Sequence, residues 1–270
     1  MSEAIIIICT RTESKRLPGK ALMHIEGRPA IAHILERLYG CGLPTYLAVP
    51  KNEAKHYFEV MANYPDTLIA EGDPESPLHR MAAVVESIAP IPKYIVRITH
   101  DDLLIDVKTM LDLLEQVKSA DAGYGCTPGI VEGAGVEIIR TENLIAAANN
   151  RQEATEFVSY FVRGSSMPFN KTIRMLPRQS IRRPYRLTVD YLDDATLLQV
   201  VLREVGANAD LETICRLLDS RPYLLNINKL PEVTFYTCAK DMAQWIGDTM
   251  LSVLGTDTPN MEYIIVDDGS

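Results

Sequence analysis

Four cations stand close together near the start of the chain. The segment from Arg11 to Lys20 also holds Lys15 and Arg16, against the single carboxylate of Glu13. An arginine offers a planar pair of donors to phosphate oxygens, and a lysine offers a mobile point charge. The segment therefore predicts a site for a polyanion, and a nucleoside triphosphate is the natural ligand.

A basic run of this kind is more often a solvated surface turn. Its position directly after a buried strand favours function instead, because doubly wound sheets bind ligands at the carboxyl ends of their strands. Gly19 would let backbone N–H groups approach a phosphate closely. The loop is not a P-loop, because Ser14 replaces a required glycine and Ala21 replaces the hydroxyl residue that holds magnesium.

An acidic segment follows a second apolar strand. Asp101 and Asp102 follow the strand expected at Tyr94–Thr99, with His100 between. Carboxylate oxygens at a strand end suit Mg²⁺ that is shared with phosphate oxygens. Asp101 is the leading candidate ligand, although an acidic patch alone is more often a solvated strand end or a helix cap.

The elements that must position these residues alternate along the chain. Ala4–Cys9 is a short, continuous β-branched run, typical of a strand buried on both faces of a parallel sheet. The alternation that follows predicts repeated βαβ units in an α/β fold. The expected strands are Thr45–Val49, Leu68–Ala70, Tyr94–Thr99, Ala122–Cys126 and Gly135–Ile139. The expected helices are Ala30–Leu38, Glu53–Met61, Leu78–Ile88, Met110–Val117, Glu142–Ala148, Ala154–Phe161 and Ala195–Val205.

Composition limits the possible functions. The formal net charge of the 270 residues is -9, which argues against broad capture of nucleic acid. Five cysteines without C-x-x-C spacing predict neither a disulfide framework nor a zinc site, and fit a reducing cytoplasm. The opening apolar run is only as long as a strand, so we expect neither a secretion signal nor a membrane span.

The basic loop resembles a family signature. Its pattern R-x-x-S-x-R-L-P-G-K is similar to that of the sugar-acid cytidylyltransferases, which include the acylneuraminate and 3-deoxy-manno-octulosonate enzymes and spore-coat polysaccharide F-like proteins. Arg11, Ser14, Arg16, Gly19 and Lys20 fall in register. The resemblance implies a GT-A-like three-layer sandwich with a mostly parallel central sheet. It also implies that this loop wraps CTP.

Further residues are assigned by the same resemblance. The segment from Arg97 to Asp106 is similar to the family's R-x-T-G-D-x-P-L-I-D stretch, and R-L-T-V-D ending at Asp190 is similar to a later block. In the family the two aspartates that match Asp101 and Asp190 hold Mg²⁺. Gly72 and Arg80 match a glycine and an arginine beside the nucleotide, although an ordinary loop is an equally good interpretation there.

Three residues depart from the family pattern. His100 replaces a glycine, Leu103 a proline and Phe157 a histidine. Asp193 or Asp194 is expected to cap the helix near Ala195.

The chain is expected to contain two domains, residues 1–229 and 230–270. After residue 229 the pattern restarts with a strand at Val233–Cys238, a helix capped by Asp241 and a strand at Tyr263–Val266. The segment Val233–Ser270 resembles the beginning of inverting family-2 glycosyltransferases. We interpret it as a truncated fragment without transferase activity, which implies a covalently attached glycosyltransferase domain in the full-length protein.

The leading hypothesis is transfer of CMP from CTP to a sugar or sugar acid, with release of pyrophosphate, for surface glycan or polysaccharide synthesis. Lys20, Arg11, Asp101 and Asp190 would perform it with Mg²⁺. The alternative is a non-catalytic nucleotide-sugar-binding or scaffold module, which the three departures favour. A complete glycosyltransferase is a weaker third interpretation. A homodimer is expected from the family, with the apolar stretch Glu153–Met167 as its interface.

Overall fold

The computed structural model describes residues 3–229, 231, 233–256 and 261–270. The chain divides into two compact units, Met1–Ile227 and Asn228–Ser270. This division lies two residues before the boundary expected from the sequence. Each unit has its own sheet.

A seven-stranded sheet, counted over residues 3–229, forms the centre of the first unit. Its strands are β1 (Ala4–Cys9), β4 (Thr45–Pro50), β5 (Thr67–Gly72), β6 (Tyr94–Thr99), β7 (Tyr124–Cys126), β8 (Glu137–Arg140) and β9 (Thr172–Arg174). A separate hairpin contains β2 (His24–Ile25) and β3 (Arg28–Pro29). The order β5-β4-β1-β6-β8-β7-β9 places β1 near the middle of the sheet. Strand β8 runs antiparallel to both neighbours and the other pairs are parallel, so the expected mostly parallel sheet is confirmed.

Helices cover both faces of this sheet. The helices described in the first unit are α1 (Ala30–Leu38), α2 (Phe58–Met61), α3 (Pro77–Glu86), α4 (Val107–Ser119), α5 (Thr141–Asn149), α6 (Val158–Val162), α7 (Leu192–Val205) and α8 (Leu211–Ser220). Helices α7 and α8 share a hydrophobic cluster of their own, apart from the sheet. Buried residues of α1 and α4 share one hydrophobic cluster with Ile6 and Ile8. Buried residues of α3 and α5 share another with Ile5 and Ile7. The expected three-layer sandwich is therefore confirmed.

Strand β1 shows why the sequence adopts this arrangement. Its side chains alternate between the two faces of the sheet, and all six residues are buried. A strand between two helical layers has no polar face, so the unbroken β-branched run fits only a central position. The β1 residues pair in parallel with β4 and β6, which brings the carboxyl ends of all three strands to one edge.

Backbone hydrogen bonds hold a late segment of the chain against the end of β6. The carbonyl of Asp101 accepts from the backbone N–H of Val189 over 3.0 Å and from the hydroxyl of Thr188 over 3.2 Å. The N–H of Leu187 donates to the carbonyl of Glu132 over 2.8 Å. These bonds place residues 187–190 beside Asp101, although almost ninety residues separate the two segments.

Two expected helices are shorter than the sequence pattern indicated. Residues 54–57 form a 3₁₀ turn before α2, and Tyr57 at the junction has φ -103° and ψ -9°, which depart from α-helical values. Helix α6 begins only at Val158, because the backbone of Phe157 is non-helical, with φ -90° and ψ 62°. Helix α8 and strand β9 were not expected at all.

The second unit contains one parallel βαβ arrangement. Strand β10 (Val233–Ala239) pairs in register with β11 (Met261–Asp267), and α9 (Ile246–Leu254) lies between them in sequence. The two expected strands are confirmed. The helix cap expected at Asp241 is wrong, because Asp241 has a φ of 53° and the helix starts five residues later.

Within the described residues, no helix combines the length and apolar character that crossing a membrane requires.

Gly133 is a position where only glycine fits. Its φ is +97°, and a Cβ there would lie 2.5 Å from the backbone carbonyl of Leu187 and the nitrogen of Thr188. We expect Gly133→Ala to lower the free energy of unfolding by about 2–5 kcal/mol, since the left-handed backbone and the backbone clash add together. Urea unfolding would measure the loss.

Gly129→Ala is the matched control for this substitution. Gly129 also has a positive φ, +80°, but a Cβ there would meet nothing within 4 Å. Its loss should be confined to about 1–2 kcal/mol from the backbone alone. Equal losses in the two variants would contradict the packing of Gly133 against residues 187–188.

Candidate functional site

A cleft of about 460 Å³ lies at the carboxyl ends of β1 and β6. The basic loop forms one wall through Arg11, Ser14, Lys15, Arg16 and Lys20. The opposite wall comes from the end of β6 and from α3. The other residues that line the cleft include Pro77, Arg80, Arg97, Thr99, His100, Asp101 and Glu156. The structure thus brings the predicted cations and the first predicted aspartate into one cavity.

The basic loop is closed by its own backbone. Gly19, with a φ of +71°, donates its N–H to the carbonyl of Thr12 over 2.9 Å. The Thr12 N–H donates to a carboxylate oxygen of Glu53 over 2.7 Å. Gly19 is not among the residues that line the cleft, so its contact with a ligand stays a prediction. In the structure Gly19 turns the backbone directly before Lys20, whose side chain lines the cleft.

Lys20 lies at the centre of the site. Its ammonium nitrogen is 2.9 Å from Oδ2 of Asp101, 2.9 Å from Oδ1 of Asp190 and 2.9 Å from the carbonyl oxygen of Val189. The lysine side chain is only 5% exposed. A buried ammonium needs such compensation, because the loss of hydration disfavours its charge strongly. Three oxygens from two distant segments therefore converge on one cation position.

Asp190 is held by three cations. Its Oδ1 accepts from Lys20 and, over 2.7 Å, from the guanidinium of Arg16, while its Oδ2 accepts from Arg186 over 3.2 Å. Arg186 also pairs with Asp194. Helix α7 begins at Leu192 with Tyr191 at the cap position, so the cap expected at Asp193 or Asp194 is displaced. Asp194 lies at the third residue of the helix and accepts from the backbone N–H groups of Asp190 and Tyr191.

The aspartates at the end of β6 differ in their electrostatics. Burial alone would raise the pKa of Asp101, but the charge interactions with His100 and Lys20 outweigh burial and lower it to about 2. Burial and repulsion by the Asp101 carboxylate raise the pKa of Asp102 to about 7. Asp102 instead accepts a hydrogen bond from the Thr99 hydroxyl over 2.6 Å. Asp101 is therefore the ionised partner of Lys20 at neutral pH.

His100 is a buried side chain in the cleft wall that is neutral at neutral pH and becomes charged only in acid. Burial lowers its pKa to about 4. Its Nδ1 lies 3.2 Å from the carbonyl oxygen of Cys9, which accepts only, so Nδ1 carries the proton. Its Nε2 is buried without a hydrogen-bond partner among the described residues.

Arg11 is paired across the cleft. Its guanidinium lies 2.7 Å from a carboxylate oxygen of Glu156, and both side chains are partly exposed. No local pattern in the sequence predicts this contact, because the two residues are far apart along the chain. The Phe157 side chain is 73% exposed and is not among the residues that line the cleft.

Arg80 and Gly72 form a support for the loops around the cleft. The Arg80 guanidinium is buried and donates to the backbone carbonyls of Thr10, Asp73 and Pro74 over 2.9–3.0 Å. A Cβ at Gly72 would lie 2.8 Å from Cγ of Arg80, so glycine lets the arginine side chain pass. Arg80 lines the cleft, and Gly72 is not among its lining residues. Direct contact of either residue with a nucleotide stays a prediction.

The three oxygens around Lys20 also suit a divalent metal ion. Within the described residues there is no cluster of three or more His, Cys, Asp or Glu side chains with metal-binding geometry. Mg²⁺ does not require one, because it commonly takes one or two carboxylates and completes its shell with water and substrate phosphates. Asp101 and Asp190 already converge on a cation, the Lys20 ammonium, and the Val189 carbonyl adds a third hard oxygen. The donor set therefore fits Mg²⁺.

Comparison with known proteins decides the family. A family model described as Cytidylyltransferase matches residues 5–219, which is most of the chain and the whole site. The chain belongs to the cytidylyltransferase family. The expectation drawn from the basic loop is thereby confirmed at the level of the family.

Curated relatives match this cytidylyltransferase-family chain over part of its length. A 3-deoxy-manno-octulosonate cytidylyltransferase from Haemophilus influenzae is 34% identical over 102 residues, which are 37% of this chain and 39% of the relative. Another from Yersinia enterocolitica is 28% identical over 120 residues, which are 44% of this chain and 48% of the relative. The matched region spans less than half the length of either relative.

Solved structures share the fold more completely. A cytidylyltransferase from Leptospira borgpetersenii superposes with a TM-score of 0.73 at 18% identity, covering 85% of this chain and 98% of that protein. The CMP:2-keto-3-deoxy-manno-octonic acid synthetase in complex with CTP superposes with a TM-score of 0.53 at 15% identity, covering 75% and 99%. At these identities the likeness concerns the fold, and it agrees with the GT-A-like fold expected from the sequence.

The stability of the site should depend on the pairing of Lys20. Lys20→Met leaves the Asp101 carboxylate without its paired cation, whereas Asp190 keeps Arg16 and Arg186. We therefore expect the free energy of unfolding to fall by about 2–4 kcal/mol, less than for a fully buried pair because Asp101 is partly exposed. The double variant Lys20→Met/Asp101→Asn should recover about 1–2 kcal/mol, because one unpaired charge is removed. Chemical denaturation at pH 7 measures both.

The same loss should depend on pH. Because the pKa of Asp101 is lowered from 3.8 to about 2 in the folded protein, its ionic contribution is complete above pH 4 and disappears as the pH falls towards 2. The difference between wild type and Lys20→Met should therefore narrow over that range. Lys108→Met, which breaks an exposed pair with Asp112, is the control and should change stability by less than about 0.5 kcal/mol. A loss in Lys20→Met no larger than in this control would contradict the buried cage.

Proposed function

We propose that this chain transfers CMP from CTP to a sugar or sugar acid and releases pyrophosphate. The observation that carries the proposal is the convergence of Lys20, Asp101 and Asp190 beside the cations of the basic loop. A polyphosphate needs cations along its length, and a metal-binding pair of carboxylates at one point. Family membership supports the same activity.

The reaction needs positioning and charge neutralisation, with no covalent protein intermediate. An acceptor oxygen forms a bond to the α-phosphorus of CTP while the bond from that phosphorus to the bridging oxygen of pyrophosphate breaks. The acceptor's hydroxyl proton is released. Lys20, Arg11 and Arg16 bind the phosphate oxygens and hold the triphosphate in line, with Ser14 as a further donor in the same loop. Arg80 and Gly72 hold the loops around the nucleotide.

Asp101 and Asp190 are the proposed holders of Mg²⁺. A bound Mg²⁺ supplies additional positive charge at the phosphates. The Asp190 carboxylate is already ordered by its hydrogen bond from Arg186, and the backbone of Asp101 is held by two hydrogen bonds that its carbonyl accepts from residues 188–189. This order reduces the rearrangement that binding requires.

Three wider parts of the hypothesis remain proposals. We propose that the reaction serves surface glycan synthesis in the cytoplasm, and that the segment Glu153–Met167, which exposes Phe157 and Tyr160, forms a homodimer interface. We also propose that residues 230–270 are part of a family-2 glycosyltransferase-like domain. The parallel pairing of β10 with β11 supports the last point.

Nucleotide choice is tested most directly by thermal shift. CTP with Mg²⁺ should raise the melting temperature more than ATP, GTP or UTP at equal concentration, because a ligand stabilises the native state according to its affinity. The same protein without Mg²⁺ is the control. An equal shift with all four nucleotides would contradict selection of cytidine.

Turnover is tested by pyrophosphate release. With CTP, Mg²⁺ and a panel of sugars and sugar acids, Asp101→Asn and Lys20→Met should each lower the rate by about 10²–10³, as loss of a transition-state charge contact does. Circular dichroism checks that each variant is folded, and Lys108→Met is the control for charge removal. Binding of CTP without release by the wild type would favour the scaffold interpretation, and an unchanged rate in Asp101→Asn would remove that residue from the mechanism.

A further inference from the structure

The cation position formed by Asp101, Asp190 and the Val189 carbonyl is filled by the chain's own lysine. The Lys20 nitrogen is 2.9 Å from each of the three oxygens and is shielded from solvent. These are the same carboxylates that the proposed function assigns to a divalent metal. Lys20 is also the residue that it assigns to the phosphates. One ammonium thus occupies, in this structure, the position that the proposed function gives to the metal.

The neighbouring cations are engaged in the same way. Arg16 pairs with Asp190 at 2.7 Å, and Arg11 pairs with Glu156 at 2.7 Å. Three cations of the loop are therefore paired with carboxylates in this structure. Phosphate must compete with those carboxylates for the cations, and a metal ion must compete with the cations for the carboxylates.

We propose that Lys20 exchanges partners during binding: its ammonium holds the site together in the free protein, a divalent metal displaces it from Asp101 and Asp190, and the released ammonium binds the nucleotide phosphates. This inference rests on the proposed function, because it takes Asp101 and Asp190 as the metal ligands. Lys20 then couples the two ligands, since each one removes a competitor of the other.

The exchange predicts that loss of Lys20 changes metal affinity and nucleotide affinity in opposite directions, which an ordinary phosphate-binding lysine would not do. Removing Lys20 should strengthen metal binding in the absence of nucleotide and weaken nucleotide binding in the presence of metal. Coupling between two ligands is reciprocal, so the gain in nucleotide affinity caused by metal equals the gain in metal affinity caused by nucleotide. Both gains should shrink in a variant that has lost the exchanging group.

The first test measures metal alone. Isothermal titration of Mn²⁺ or Mg²⁺ into nucleotide-free protein should give a dissociation constant about tenfold lower or better for Lys20→Met than for wild type, since one competing ion-pair contact near a protein surface is worth at least that factor. Lys15→Met is the matched control. Lys15 is an exposed lysine of the same loop, and none of the described ion pairs joins it to Asp101 or Asp190.

The control separates local exchange from general charge removal. Lys15→Met loses the same charge from the same cleft wall, so a tenfold gain in both variants would mean that the field of the cleft, and not the occupied position, controls metal affinity. That result would overturn the proposal. Equal or weaker metal binding by Lys20→Met would overturn it as well.

The second test measures coupling. CTP binding is titrated with and without Mg²⁺ for wild type and Lys20→Met, and the ratio of the two dissociation constants gives the coupling. We expect the ratio to be several-fold larger in wild type. A ratio unchanged by the substitution would show that the metal acts on the phosphates alone, and would overturn the proposal.

A measurement on the wild type guards against misfolding of the variant. The shielded Lys20 ammonium should give a slowly exchanging ¹⁵N-correlated NMR signal, which saturating Mg²⁺ should shift or abolish without nucleotide. A signal unaffected by saturating Mg²⁺ would overturn the proposal. Pyrophosphate release separates the two proposals. Turnover in a protein whose Lys20 does not respond to Mg²⁺ would support the proposed function and overturn the exchange. A response of Lys20 to Mg²⁺ without turnover would support the exchange and contradict the transfer of CMP.

Discussion

The contact of the Lys20 ammonium with three oxygens is the interaction on which the site depends. It joins the loop after β1 to the end of β6 and to the segment before α7, which are far apart in sequence. A nearly buried lysine is tolerated only where its charge is matched at close range. Every element that carries one of the three oxygens is therefore constrained to reach the same point.

The surrounding structure supplies that constraint by means other than charge. Gly133 lets the backbone of residues 187–188 pass closely, and the carbonyl of Asp101 receives two hydrogen bonds from residues 188–189. Arg80 ties Thr10 at the end of β1 to the loop at residues 73–74. All three of these hydrogen bonds are accepted by backbone carbonyls, so no carboxylate neutralises the Arg80 guanidinium in them. Its positive charge therefore contributes to the electrostatic potential of the cleft wall.

The sequence predicts the part of this arrangement that depends on local pattern. The β-branched run at Ala4–Cys9 and the apolar run at Tyr94–Thr99 indicate neighbouring buried strands, and parallel strands bring the residues after them to one edge. Lys20 and Asp101 follow from that reasoning. Helix α8 was also accessible, because Asp210 precedes an apolar stripe at Leu211, Ile214, Cys215 and Leu218, the spacing of one helix face.

Other features depend on contacts that no local pattern contains. The placement of Asp190 was expected only from the family resemblance, and the Val189 carbonyl carries no side-chain signal at all. The pair of Arg11 with Glu156 joins segments about 145 positions apart in sequence. The helix expected at Glu53–Met61 is divided into a 3₁₀ turn and α2, and tertiary contacts of Glu53 with Thr12 and of Ala54 with Glu71 hold its first residues.

The three departures from the family pattern leave the cation position intact. Leu103 is fully buried and packs in a hydrophobic cluster with residues of α7 and α8, so it replaces proline as a core residue. Phe157 is exposed, outside the residues that line the cleft. His100 alone lines the cleft, and its Nδ1–H is bound to the Cys9 carbonyl, while Asp101 remains bound to Lys20. Since none of the three removes an oxygen or a cation from the site, they do not argue that phosphate chemistry has been lost.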